Sequence, residues 1–153
     1  MIDKMVQYTQ KDITKFAREC IDTPFRHQGR HIGVGMDCVA VAIHVAKRLE
    51  VDHSDVKGYS RIPSNGLIEK AFEEQTCITK VDGLNLFDDL QEGDILLMRF
   101  TGEPQHVAIY SKEFDTIIHG YQDVGKVCEH TLDSIWRKRI LMVYRFNKVS
   151  SVI

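Results

Sequence analysis

Hydrophobic and polar positions change period midway along the chain. In the first half, apolar residues recur at helical spacing. Ile13, Phe16, Ala17 and Cys20 fall at i, i+3, i+4 and i+7, forming one stripe of a helix that Thr9 opens, with Asp12 three residues later. That helix is expected to end near Asp22-Thr23-Pro24, because the residue before a proline avoids helical geometry. From Cys38 to about Glu50, apolar side chains at 38, 41, 42, 45, 46 and 49, joined by Val39 and Ile43, cover most of a helix circumference. Such a helix is central and packs on more than one side. His44, its polar interior position, reads as a structural residue. After Pro63-Ser64-Asn65-Gly66, residues Leu67, Ile68, Ala71 and Phe72 predict a third helix, with Glu69, Glu73 and Glu74 facing out.

The second half alternates at strand period. Gly93-Asp94 leads into an apolar run from Ile95 to Phe100, which Thr101-Gly102-Glu103-Pro104 breaks. Residues 106–110 and 116–121 predict two strands joined by a short loop around Lys112-Glu113, and Val127 to His130 a further strand. Thr131 to Lys138 holds one or two helical turns presenting Trp136, and Ile140 to Phe146 closes the sheet. Helices followed by strands predict an α+β fold with N-terminal helices on a C-terminal antiparallel sheet. With no repeat, linker or low-complexity stretch in it, the chain reads as one domain over residues 1–153.

Composition narrows the function classes. Hydrophobic content of 43% and charged content of 27% are ordinary for a soluble globular chain. A net charge of −2 gives no reason to expect nucleic acid as partner, and no apolar run is long enough for a membrane span. The start, Met1-Ile2-Asp3-Lys4-Met5, lacks the apolar core of a secretory signal, so cytoplasmic synthesis without a signal peptide is expected. Cys20, Cys38, Cys77 and Cys128 show no C-x-x-C pair and no zinc-like spacing. They read as free thiols, Cys20 as a core one, and no metal or cofactor is called for.

Candidate chemistry centres on Gly33-Val34-Gly35-Met36-Asp37-Cys38, which delivers a cysteine to the first turn of the buried helix. The amides and positive dipole end there favour an anion and can lower a thiol's pKa. The preceding loop, Pro24 to Asp37, carries Phe25, Arg26, His27, Gln28, Arg30 and His31 and could line a cleft or be an ordinary polar loop. On the 106–121 hairpin, a loop of residues 112–113 or 111–114 would pair His106 with His119 on one face. One imidazole could then take a proton from a nucleophile while the second orients the first. Cys38, His106 and His119 thus form a Cys-His-His order. The amides at the start of the helix could also hold an oxyanion.

Thr23-Pro24-Phe25-Arg26-His27-Gln28-Gly29, Gly35-Met36-Asp37-Cys38, Gly93-Asp94-Ile95-Leu96 and His106-Val107-Ala108-Ile109-Tyr110 with Ile118-His119 resemble the NlpC-type family of cell-wall cysteine peptidases. The resemblance runs from about residue 13 to 146 and implies a papain-like fold and cleavage of peptidoglycan stem peptides. It implies Cys38 as nucleophile, His106 as general base and later acid, His119 as the orienting residue, and Asp37 as a substrate-binding position. The wording of the Thr23–Asp37 loop most resembles phage and prophage members, which implies a phage tail setting with tail proteins as partners. Two positions depart from the family pattern. Val39-Ala40 replaces the common Ser-Gly after the nucleophile, and Phe25 stands where a tyrosine hydroxyl often supports the oxyanion, leaving His27 or Gln28 as alternative donors. These departures keep open a non-catalytic structural or binding module on the same fold. Acyl transfer or deamidation by the same thiol is a further alternative.

Overall fold

The computed structural model describes residues 7–60, 66–100, 105–147 and 149–150. The expected breaks at Pro63-Ser64-Asn65 and at Thr101 to Pro104, like the extreme N-terminus, lie outside them. Helix α1 spans Gln10–Arg18, and at its start the Asp12 carboxylate accepts the Thr9 N–H at 2.8 Å. It ends four residues before Asp22, where the chain reverses with Asp22 at φ 72°. The polar loop contains a small hairpin, β1 (Arg30–His31) with β2 (Gly35–Met36), turned by Gly33 at φ 78°. Helix α2 follows at Cys38–Arg48, and α3 spans Leu67–Glu73. His44 Nε2–H donates to the Glu19 carboxylate at 2.8 Å on the rim of α2, a structural contact.

Strands β3 (Ile78–Lys80), β4 (Ile95–Met98), β5 (His106–Ser111), β6 (Thr116–Tyr121), β7 (Lys126–Thr131) and β8 (Ile140–Phe146) form one sheet, with the short helix α4 (Ser134–Arg137) before β8. Its order is β3-β8-β4-β5-β6-β7, antiparallel at every pair. This is the α+β architecture expected from the change of period. The three-residue β3 was not expected, since Ile78-Thr79-Lys80 is too short to carry an alternation signal.

Alternation splits the sheet's side chains between two apolar clusters. Val107, Ile109, Ile118 and Val127 join Ile13, Phe16, Val39, Ile43 and Val45 on the helix side. Ala108, Tyr110 and Ile117 join Leu90, Leu132 and Val143 on the other, with Trp136 packed against them. By the same alternation His106 and His119 belong to the face away from α2.

The β5–β6 register differs from the expected one. The pairs are Ser111↔Thr116, Tyr110↔Ile117 and Ile109↔Ile118, so the loop is residues 112–115. Ser111 stays in the strand because its hydroxyl reaches Arg18 Nη2 at 3.1 Å and the buried Glu92 carboxylate at 3.4 Å. Asp115 closes the turn at φ 53°, a left-handed conformation that Asp tolerates. The shift is two residues, so each strand keeps its faces. His106 and His119 remain on one face, as diagonal rather than direct neighbours.

Candidate active site

The described β5–β6 pairing stops at Ile109↔Ile118, and the start of α2 fills the opening beyond it. Tyr110 N–H bonds Asp94 O, just before β4, so the alternate amides, Val107 among them, point toward β6. The Val107 amide meets the Cys38 sulfur, as do the amides of Val39 and of Cys38 itself. On the other side, a Cβ on Gly120 would lie 2.7 Å from the Asp37 carbonyl carbon and 3.1 Å from Cys38 N. Only glycine in β6 lets the helix start come this near.

Asp37 fixes that start. One carboxylate oxygen accepts the Ala40 N–H and Arg30 Nη1, both at 3.0 Å. The other accepts the Gln28 N–H at 2.9 Å and the Tyr59 hydroxyl. Tyr59 in turn accepts Arg30 Nη2 at 2.8 Å, and its own pKa is raised by burial and by Asp37. Asp37 is buried, with both oxygens engaged inside the protein. His27 Nε2 and Gln28 Nε2 both donate to the Tyr59 carbonyl, at 2.9 and 2.7 Å. Phe25 is half-buried and bridges Met36, with its N–H on Gly125 O at 2.8 Å. Val39 turns into the helix-side core.

The histidines form a chain whose proton positions follow from its far end. His130 Nδ1 lies 3.0 Å from the Thr131 carbonyl, which can only accept, so in the neutral ring Nδ1 carries the proton. His130 Nε2 is then an acceptor for His119 Nε2–H, at 2.8 Å. His119 Nδ1 in turn accepts His106 Nε2–H at 2.5 Å. The remaining lone pair of His106 is therefore on Nδ1. Phe100, Tyr121 and Trp136 crowd these rings, with Tyr121 stacked on His119 at 5.2 Å and Trp136 edge-on to it at the same distance. Arg139 lies over Trp136 at 4.5 Å.

Electrostatics correct one expectation. Burial pushes the Cys38 thiol up to about 12, and the Asp37 charge adds to this; the three amides oppose it without prevailing. Burial, then the neighbouring His130 and Arg139, hold His106 well below the ordinary imidazole value, and burial followed by its two histidine neighbours does the same to His119. Burial thus works against the thiolate that the helix terminus alone favours, and against charge on the His106 and His119 rings. Sequence reasoning missed His130, Gly120 and Tyr59, and saw Arg30 only as one polar residue of the loop. A lone glycine inside the β6 pattern was the one local signal for any of them.

A cysteine opening a buried helix against an all-antiparallel sheet that carries its histidines is a papain-like α+β arrangement. The chain belongs to the NlpC/P60 family, whose model matches residues 22–145. Among solved structures, the NlpC/p60 domain of the peptidoglycan hydrolase SagA is 20% identical, with 90% of this chain and 99% of that one covered and a TM-score of 0.60. An NlpC/P60 family protein from Bacillus cereus is 18% identical, with 93% and 41% covered and a TM-score of 0.65. The peptidoglycan hydrolase RipB from Mycobacterium tuberculosis is 15% identical, with 89% and 63% covered and a TM-score of 0.58. At these identities the likeness shows the fold. The chain spans less than two thirds of the Bacillus cereus and RipB chains. No curated protein sequence matches significantly.

Proposed function

We propose that this chain is a cysteine-type peptidoglycan hydrolase cutting peptide bonds of stem peptides, with Cys38 as nucleophile, His106 as base and then acid, and His119 as orienting residue. The observation that carries this reading is the His130–His119–His106 chain, which leaves the His106 lone pair on Nδ1. Because burial works against charge on thiol and imidazole alike, the Cys38 proton passes to His106 Nδ1 as the sulfur attacks the carbonyl, not before. The amides at the start of α2 hold the oxyanion, a role that asks nothing of Phe25 or Val39. His106 then gives the proton to the leaving amine as the C–N bond breaks. The thioester is cleaved by water with His106 as base, returning the thiol. The SagA and RipB names, on the same fold, support the wall as substrate.

Purified peptidoglycan treated with the native chain should release new free amines, and Cys38→Ala and His106→Ala should lose this while keeping their fold. No amine release by the native chain would refute the reading. The phage-like wording of the Thr23–Asp37 loop supports a place at a phage tail, opening the wall locally; the chain should then copurify with virions.

A further inference from the structure

His119 and Cys128 stand directly opposite each other on β6 and β7, and His130 is diagonal to His119 on the same face. One ligand atom from each, His119, Cys128 and His130, lies within 4.8 Å of the others. His119 is buried, whereas Cys128 and His130 are half-buried, so the group is reached from the β7 side. We propose that these three side chains form an inhibitory site for a thiophilic divalent cation of the zinc class, one that switches off the catalytic chain proposed above. Two imidazoles and a thiolate with a fourth position left to water suit such an ion.

The geometry needs little movement. The His119 and His130 Nε2 atoms are 2.8 Å apart, with a proton between them. Tetrahedral zinc with Zn–N near 2.0–2.1 Å would hold them about 3.3 Å apart, a spread of roughly half an ångström. The Cys128 sulfur closes in by rotation of a half-buried side chain.

Binding rewrites the proton pattern. Metal on His119 Nε2 displaces that atom's proton, so neutral His119 must carry its proton on Nδ1. That N–H then points at His106 Nε2, which must become the acceptor, and the His106 proton moves to Nδ1. His130 is unchanged, since its Nδ1–H already faces Thr131 O. Three imidazole protons are present before and after, and one proton, the Cys128 thiol's, leaves to solvent as the metal–sulfur bond forms. The result is an occupied Nδ1 on His106, the atom that must be empty to accept the Cys38 proton. The metal acts from behind the relay without touching the nucleophile.

The test uses cobalt(II) and zinc on the full chain, stripped of metal. Cobalt should give thiolate charge-transfer and tetrahedral d–d bands in the native chain and in Cys38→Ala. Cys128→Ser and Cys128→Ala should lose the charge-transfer band, with affinity down by ~100-fold or more, beyond what loss of an outer-shell partner costs. Zinc should slow peptide cleavage by the native chain by about 10²-fold or more, the least that losing a general base costs. Cys128→Ser should keep its basal rate and resist zinc. A charge-transfer band that survives in Cys128→Ser, the absence of any band, or equal zinc inhibition of Cys128→Ser would overturn the proposal. A metal-free native chain without hydrolysis would instead sink the peptidase reading, and the cobalt bands would still report on the metal site.

Discussion

Replacing Gly120 with alanine should damage catalysis more than its single added methyl suggests. The backbone there does not have positive φ, so alanine is conformationally acceptable and the contact is what the substitution reads. The new Cβ would lie 2.7 Å from the Asp37 carbonyl carbon and 2.8 Å from its oxygen, against an ordinary contact of at least 3.4 Å. A gap of about 0.7 Å must open between two pieces of backbone. Neither gives easily. Asp37 is tied by four hydrogen bonds, and Gly120 is held in the β6–β7 ladder opposite Val127. Overpacking of this kind costs about 1–3 kcal/mol. The displaced element carries Cys38 while β5 and β6 carry the histidines, and misplacement approaching 1 Å costs up to about 10²-fold in rate. Steady-state cleavage of a defined stem peptide and urea unfolding give the two numbers. We expect kcat to fall ~10–100-fold with KM little changed, and stability to fall by about 1–3 kcal/mol. Native values of both in a folded variant would refute the packing of α2 on β6.

Tyr59→Phe removes the hydroxyl that joins Arg30 to Asp37, and urea unfolding should show a loss of about 1–3 kcal/mol. Val39→Ser restores the residue common in the family, but it points into the core; it should cost about 2 kcal/mol without raising kcat. Stability should also depend on pH through the buried histidines. Their folded values lie below the ordinary 6.5 of an imidazole, so below about pH 6.5 the unfolded chain binds more protons than the native one, and stability falls as pH falls. For the pair the slope reaches about 2.7 kcal/mol per pH unit, and unfolding at pH 7 and pH 5 should differ by up to about 4 kcal/mol; His106→Gln should roughly halve this. A flat profile would contradict neutral burial of the rings.

Much of this was legible in the sequence because local pattern encodes it. The apolar circumference of α2, the Asp-Cys junction that caps it, and the alternation of β4, β5 and β6 each lie within about ten consecutive residues. The facing of His106 and His119 was readable despite the wrong loop, since the register error was an even number and faces repeat every two residues. The loop itself was settled by Glu92 and Arg18 reaching Ser111 from distant segments, which no hairpin rule contains. The same holds for the Arg30–Asp37–Tyr59 cluster and for His130. Their significance lies in partners far along the chain, so composition around them looks like ordinary loop and strand. The thiol's raised pKa was hidden for a related reason: helix-terminus chemistry is local, whereas burial depends on the whole fold.

The place of β8 bears on how the sheet is assembled. Although it comes from the far end of the described chain, it lies inside the sheet, between β3 and β4. Cys38 and the histidine strands β5, β6 and β7 all precede β8, and until β8 is in place β4 pairs with β5 alone and β3 has no neighbour in the sheet. The strands of the relay can therefore pair before the sheet is closed, while β4 still presents an unpaired edge. A sheet ordered this way is sealed by a strand threading into its middle, a long-range pairing that is slow and leaves the β4 edge open to aggregation meanwhile.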